Sequence, residues 1–221
     1  MSQPIYSTRE IRELERAAAD APLMERAGTA AADFAASLVQ QNRKDILVLA
    51  GPGNNGGDAR IAAARLQEKF FRVTVASHPR ELPPDRSWGL VIDGLFGIGL
   101  AREVTGEYAQ LVDYANRQPC PVLALDVPSG IQSDTGQVLG CAVRATHTLA
   151  FIGLKPGLLT LEGPDHCGEL RVASLGVDLS KAKSNAWVAE PALFGAALKP
   201  RPRNFHKGSA GSLGILGGAR G

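Results

Sequence analysis

Asp45-Ile46-Leu47-Val48-Leu49-Ala50-Gly51-Pro52-Gly53-Asn54-Asn55-Gly56-Gly57-Asp58 is the stretch whose reading decides the fold. Residues 46–50 are apolar without interruption, the pattern of a strand buried on both faces rather than on one. Glycine-rich sequence follows, and then a helical pattern over residues 58–70 with Ile61, Ala62, Leu66 and Phe70 near one face. A glycine-rich turn between a strand and a helix lets backbone N–H groups approach an anion closely, where any side chain would stand in the way. The helix dipole adds about 0.3–1 kcal/mol per charge at that end. A phosphorylated small molecule is the ligand class this stretch predicts.

Working outward, the same alternation continues. Arg72-Val73-Thr74-Val75-Ala76 reads as a strand, followed by a connection carrying Pro79, Pro83 and Pro84. Residues 89–92 form the next strand, ending at Asp93, and a second glycine-rich loop spans 94–100. A helix over 107–117 leads to a strand over 121–125 that ends at Asp126, with the loop Val127-Pro128-Ser129-Gly130 beyond it. Two later runs, 146–151 and 169–175, read as strands. Upstream, Ser7 and Glu10 have the spacing of a capping box for a helix to about Ala19. Pro22 suits the first turn of a second helix, along which Leu23, Ala27, Ala30, Ala31, Phe34 and Leu38 recur at helical spacing. Strands alternating with helices predict an α/β, Rossmann-like three-layer αβα sandwich with a mostly parallel sheet. Ligands of such sheets bind outside the carboxyl ends of the strands. The loops carrying Asn55, Asp93 and Asp126 are therefore expected to converge on one edge.

At 221 residues, 44% hydrophobic and 21% charged, the chain has ordinary globular proportions. A formal charge of +2 gives no reason to expect nucleic acid as a partner. No apolar run reaches the ~18 residues of a membrane span, and the N-terminus lacks the apolar core of a signal peptide. A cytoplasmic protein with no membrane partner is the expectation. Cys120, Cys141 and Cys167 are widely spaced and form no Cys-x-x-Cys, so they read as reduced thiols rather than as a metal or redox motif. The alanine-rich second helix could pack on the sheet or on a partner subunit, and a homo-oligomer is expected.

Residues 51–56 match G-x-G-x-x-G after a strand, the pattern of a dinucleotide-binding dehydrogenase. That pattern expects an acidic residue at the end of the next strand, and Ala76-Ser77-His78 supplies none. A P-loop is excluded by the absence of Gly-Lys-Ser/Thr. Asn55, Asp93 and Ser129 offer oxygen atoms suited to a hard cation, although the Asn54-Asn55 pair also has a simpler reading as turn residues and Asp126 as a cap. Asp126, between an apolar strand and Pro128-Ser129-Gly130, is a better acid–base candidate than any histidine. His147, in a strand-like run, reads as a core residue. Two other classes stay open: a nucleotide-binding module without catalysis, and an oxidoreductase, which an absorbance change at 340 nm would reveal.

Five segments together resemble one family. Leu23-Met24-Glu25-Arg26-Ala27-Gly28, Gly51 to Asp58, Asp93-Gly94-Leu95-Phe96-Gly97-Ile98-Gly99-Leu100, Asp126-Val127-Pro128-Ser129-Gly130 and Lys155-Pro156-Gly157-Leu158 resemble, in this order, the NAD(P)H-hydrate epimerases, the YjeF N-terminal domain family. The resemblance covers about residues 5–195. It implies a domain over 1–198, with 199–221 as a linker and the truncated start of an ADP-dependent NAD(P)H-hydrate dehydratase domain, the arrangement of a bifunctional repair enzyme. The implied substrate is NADH or NADPH hydrated at C6 of the nicotinamide ring, and the implied reaction is exchange of its R and S epimers. Carried over by position, Asn54, Asn55, Gly56, Gly57 and Asp58 would line the hydrated nucleotide. Gly97, Ile98, Gly99, Leu100, Ala101, Arg102 and Glu103 would wrap its phosphates. Asn55, Asp93 and Ser129 would hold a potassium ion, and Asp126 would meet the altered ring as the catalytic acid–base. The chain departs from the family pattern in having Ala59 for Gly, Gly94 for Ala, Ile98 for Thr, and Thr146 and Ala150 for Asp and Thr.

Overall fold

Ile46, Leu47, Val48, Leu49 and Ala50 have no solvent exposure, because their strand lies inside a sheet covered on both faces. The computed structural model describes residues 3–39, 45–83, 86–179, 182–195 and 203–204. In chain order the elements are β1 (Pro4–Ile5), α1 (Thr8–Ala17), α2 (Leu23–Leu38), β2 (Asp45–Ala50), α3 (Asn54–Glu68), β3 (Arg72–Ala76), β4 (Leu90–Gly94), α4 (Gly106–Asn116), β5 (Val122–Leu125), β6 (His147–Phe151), α5 (Gly163–Cys167), β7 (Glu169–Ala173) and β8 (Ala186–Trp187). One sheet runs β3-β2-β4-β5-β6-β7, with every neighbouring pair parallel. β1 and β8 pair antiparallel as a separate ribbon. This is the α/β arrangement that the alternation of strands and helices predicts.

The two-residue period of the strands makes two cores. Ile46, Val48, Leu90, Ile92, Leu123 and Leu125 belong to one, with the inward faces of α2 and α3. Leu47, Leu49, Val91, Val122 and Ala124 belong to the other, with Trp88 and with Leu111, Val112 and Ala115 of α4. The facing residues of α2 and α3 are small: Ala27, Ala31, Ala32 and Ala35 on one, Ala59, Ala62 and Ala63 on the other. The alanine-rich face of α2 is thus buried within the subunit, and self-association would use other surfaces.

Three local differences from the sequence reading have physical causes. α3 begins at Asn54 rather than Asp58. A first turn needs no intrahelical acceptor for its N–H groups, so glycine and asparagine there are tolerated despite low propensity. Its other end is earlier too: Phe70, expected on the buried face, lies beyond the helix at φ 64° and is 86% exposed. Pro22 is the N-cap of α2 instead of its first helical residue. The capping box of α1 forms as expected, with Glu10 N donating to Ser7 Oγ (3.3 Å) and Ser7 N donating to Glu10 Oε2 (2.7 Å).

Two of the departures from the family pattern are one event in space. A Cβ on Gly94 would lie 2.4 Å from the Cβ of Ala59. The methyl of Ala59 occupies the space that a methyl on residue 94 would take.

Residues 188–221, with 1–2, form a unit apart from residues 3–187. In it the structure describes a 3₁₀ turn at Pro191–Leu193. The expected linker and second-domain start at 199–221 lie outside the described residues, apart from Arg203 and Asn204. Among the described residues no helix is long and apolar enough to cross a membrane.

Candidate functional site at the strand ends

β2 lies between β3 and β4, and the helices that follow β2 and β4 cover opposite faces of the sheet. Where such connections part, a crevice opens at the carboxyl ends of the strands. A cleft of about 720 Å³ occupies that place, within the usual range for small-molecule sites. Its walls come from α1 (Arg12, Glu15), the start of α2 (Leu23, Met24, Glu25), the start of α3 (Asn54, Asn55, Asp58), the loop 95–102, Asp126 and Ile152.

The glycine loop is held from behind. A Cβ on Gly51 would lie 1.8 Å from Leu95 O, so the first and second loops can touch only if residue 51 is glycine. The guanidinium of Arg60 donates to Gly51 O (2.9 Å) and Gly56 O (3.0 Å). Gly53 caps α3 without a side chain, which leaves the first-turn N–H groups and the positive end of the helix dipole at the cleft.

Below the cleft floor lies a buried cluster of oxygens. Asp93 is fully buried and accepts from Ser129 N (2.8 Å), Ser129 Oγ (2.6 Å) and Leu95 N (3.2 Å). Burial pushes its carboxyl up to about 6, against the pull of those hydrogen bonds. The Asn55 amide donates to Phe96 O (2.9 Å) and Leu125 O (3.1 Å). Because both neighbours are carbonyls, the amide nitrogen must face them, and Asn55 Oδ1 is left buried without a partner. Phe96 N in turn donates to Ser129 Oγ (2.9 Å). An orphaned amide oxygen and a buried carboxylate with no cation are both costly. A set of carboxylate, amide, hydroxyl and carbonyl oxygens suits a hard cation.

Asp126 stands at φ 66° in a γ-turn closed by Val127 N donating to Leu125 O (2.9 Å). That strained turn aims its carboxylate into the cleft instead of along the sheet. Oδ2 accepts from Ile98 N (3.2 Å); Oδ1 accepts from Phe151 N (3.4 Å) and from the ammonium of Lys155. Lys155 is fully buried and also donates to Phe151 O (2.7 Å). Ile98, where the family pattern has a hydroxyl, packs its side chain against the first core and uses its N–H to hold Asp126.

Other candidates fall in place around this centre. Asn54, Asn55 and Asp58 line the cleft; Gly56 and Gly57 lie behind them in the first turn of α3. Gly97, Ile98, Gly99, Leu100, Ala101 and Arg102 line it, whereas Glu103 borders a smaller adjoining hollow beside Tyr108. Asp93 and Ser129 are linked to Asn55 through the backbone of Phe96, which both Asn55 and Ser129 engage, and do not line the cleft. Sequence reasoning assigned no role to Lys155, Arg12, Glu15 or Arg60. Only Lys155 left a trace, as a lone cation closing an apolar strand within the quoted Lys-Pro-Gly-Leu segment. Cys167 is buried and its thiol is pushed up to about 12 by that burial, so it offers no nucleophile.

Similarities with known proteins fit this geometry. The family described as YjeF-related protein N-terminus matches residues 20–88 and 76–157. An NAD(P)H-hydrate epimerase of Bordetella pertussis (strain Tohama I) is 43% identical over 202 residues, covering 78% of this chain and 88% of that protein. The bifunctional NAD(P)H-hydrate repair enzyme Nnr of Escherichia coli K12 is 35% identical over 98% of this chain, which spans 48% of that enzyme. A crystal structure of the yeast protein ynu0 shares the fold, with a TM-score of 0.61 at 18% identity, covering 76% of this chain and 86% of the yeast one.

Proposed function

Because the chain belongs to the family of YjeF-related N-terminal domains, we propose that it interconverts the R and S epimers of NADH or NADPH hydrated at C6 of the nicotinamide ring, repairing the damaged coenzyme. The observation that carries this reading is Asp126: a carboxylate turned into the cleft by a strained turn and fixed by Lys155 and Ile98 N. Its neighbours in the cleft are the uncapped start of α3 and the glycine loop 97–102. Those backbone donors, with Arg12 and Arg102, are the groups for the phosphates, and the ring then lies toward Asp126.

At C6 the hydroxyl shares a carbon with the ring nitrogen. The nitrogen lone pair expels it, giving a planar iminium, and water returning to the other face gives the opposite epimer. Asp126 supplies general acid–base help by taking a proton from the returning water; help of this kind is worth roughly 10²–10⁴-fold. Asn55, Asp93 and Ser129 would hold a potassium ion, whose charge neutralises Asp93 and fixes three loops at once. The chain spans about half the length of the bifunctional relative, and residues 199–221 are read as the opening of a dehydratase domain. A reducing cytoplasm is the matching compartment.

Asp126→Ala is expected to abolish epimerisation while nucleotide still binds. Chiral chromatography of the purified R-hydrate, incubated with each protein, reads the result. Interconversion at the parent rate would remove Asp126 from the mechanism. A parent protein that binds the hydrate without changing the epimer ratio would be a binding module, and one that changed absorbance at 340 nm would be an oxidoreductase.

A further inference from the structure

Asp58 is the nearly buried carboxyl on the cleft wall that the scheme above leaves without a task. It is only 9% exposed, lies on the cleft wall one turn inside α3, and its carboxyl has no hydrogen-bond or ion-pair partner among the described residues. Asp126 is its opposite: three donors, one of them a buried ammonium, surround that carboxylate. Two carboxyls from different elements therefore face one cavity in contrasting states. A buried acid without partners is costly to keep, and such groups gather where chemistry needs them.

Resting on the epimerase reading, we propose that Asp58 and Asp126 are a two-carboxyl relay across the plane of the nicotinamide ring. Asp58 gives its proton to the hydroxyl leaving one face, and Asp126 takes a proton from the water arriving at the other. In the first half the C6–O bond breaks, the nitrogen lone pair becomes the C6–N double bond, and one water leaves carrying the proton of Asp58. In the second half a new C6–O bond forms, the double-bond electrons return to nitrogen, and the proton of the entering water passes to Asp126. One proton has crossed from Asp58 to Asp126, and that end state is the one from which the opposite epimer is converted back. Exchange with solvent restores the start.

The surroundings suit Asp58 to the acid's part. Burial, reinforced by Asp126 and Glu15, pushes its carboxyl up to about 7, where an acid can be both protonated and willing to give up its proton. The charged groups that share the cavity are Glu15 and Arg12 from α1, Glu25 from α2, Arg102 from the second loop, and Asp126. Among the described residues the one buried lysine, Lys155, is engaged by Asp126 and Phe151 O. One carboxyl held by donors and one left without them, in a single cavity, is an arrangement that suits a base and an acid.

The test uses the full chain and purified R-hydrate of NADH, with the rate followed by chiral chromatography against pH. An inactive parent protein would overturn the epimerase reading itself. With an active parent, Asp58→Asn is expected to lower kcat by about 100-fold or more with KM within a few-fold, and to erase the alkaline limb that the parent shows near neutrality. Asn keeps the shape and removes only an unpaired acid, so the variant is expected to melt no lower than the parent. Asp58→Glu, which keeps the acid, is expected to retain the alkaline limb and part of the rate, and it decides the matter should the Asn variant not fold. An Asn variant with the parent's kcat and pH profile, or one whose entire loss lies in KM, would overturn the relay.

Discussion

The Asp126–Lys155 pair shows how much a single contact can organise. Lys155 has no solvent exposure, and its amino group donates hydrogen bonds to Asp126 and to Phe151 O. Removing one partner of a buried pair leaves an uncompensated charge, typically at a cost of about 3–5 kcal/mol. Lys155→Met is therefore expected to lower the unfolding free energy, read from urea titration, by an amount in that range. Combining it with Asp126→Asn should recover a large part of the loss, because no isolated charge then remains. A double variant that simply sums the two single losses would show that the residues do not act as a pair. At this scale the sequence was half legible. Asp126 was visible because it ends an apolar strand beside a glycine turn. Lys155 was not, because its partner lies 29 positions away and local pattern carries no information about pairing at that distance.

Among elements, the informative contact is that of α3 with β4. The methyl of Ala59 fills the space a Cβ on Gly94 would take, 2.4 Å away. Gly94→Ala alone overpacks that point and should cost about 1–3 kcal/mol. Ala59→Gly alone removes a methyl and weakens a helix interior by about 1 kcal/mol. Made together, they restore one methyl at the contact, and the double variant is expected to be more stable than Gly94→Ala alone, with a coupling of about 1–3 kcal/mol in a double-mutant cycle. Coupling near zero would mean that β4 and α3 adjust independently. Read one at a time, the departures at 59 and 94 carried no pattern; they became a pair only once helix and strand were in register. The early start of α3 belongs here too. Four residues read as loop from their composition are helical because a first turn makes few demands on its residues, and this places Asn55 and Asp58 on a rigid element.

For the whole molecule, the buried carboxyls set how stability responds to pH. Asp58 and Asp93 hold their protons in the fold up to about 7 and about 6, whereas an unfolded chain releases them near pH 4. Across that interval the folded state binds more protons, so stability falls as pH rises. Asp45 acts oppositely: hydrogen bonding to Arg72, opposed by burial and aided by Arg86, holds its carboxyl well below the usual range. Its contribution is present above about pH 4 and is lost as acid is added. In potassium-free buffer the melting temperature is therefore expected to be highest between about pH 4 and 5 and to decline toward neutrality. Potassium should raise it at pH 7.5 more than at pH 5, because a cation competes with a proton for Asp93. Equal response to sodium and potassium at every pH would remove the cation from the Asn55–Asp93–Ser129 set. The sequence alone determined the parallel sheet, the rim at which its loops gather and the acid at the end of β5, since apolar periodicity and strand-ending turns are encoded locally. Only the tertiary structure decided that Lys155 faces Asp126, that Asn55 Oδ1 and the Asp58 carboxyl find no partner among the described residues, and that α3 and β4 share one methyl-sized space. Those facts depend on which distant segments lie side by side, and strand register, not local pattern, sets that.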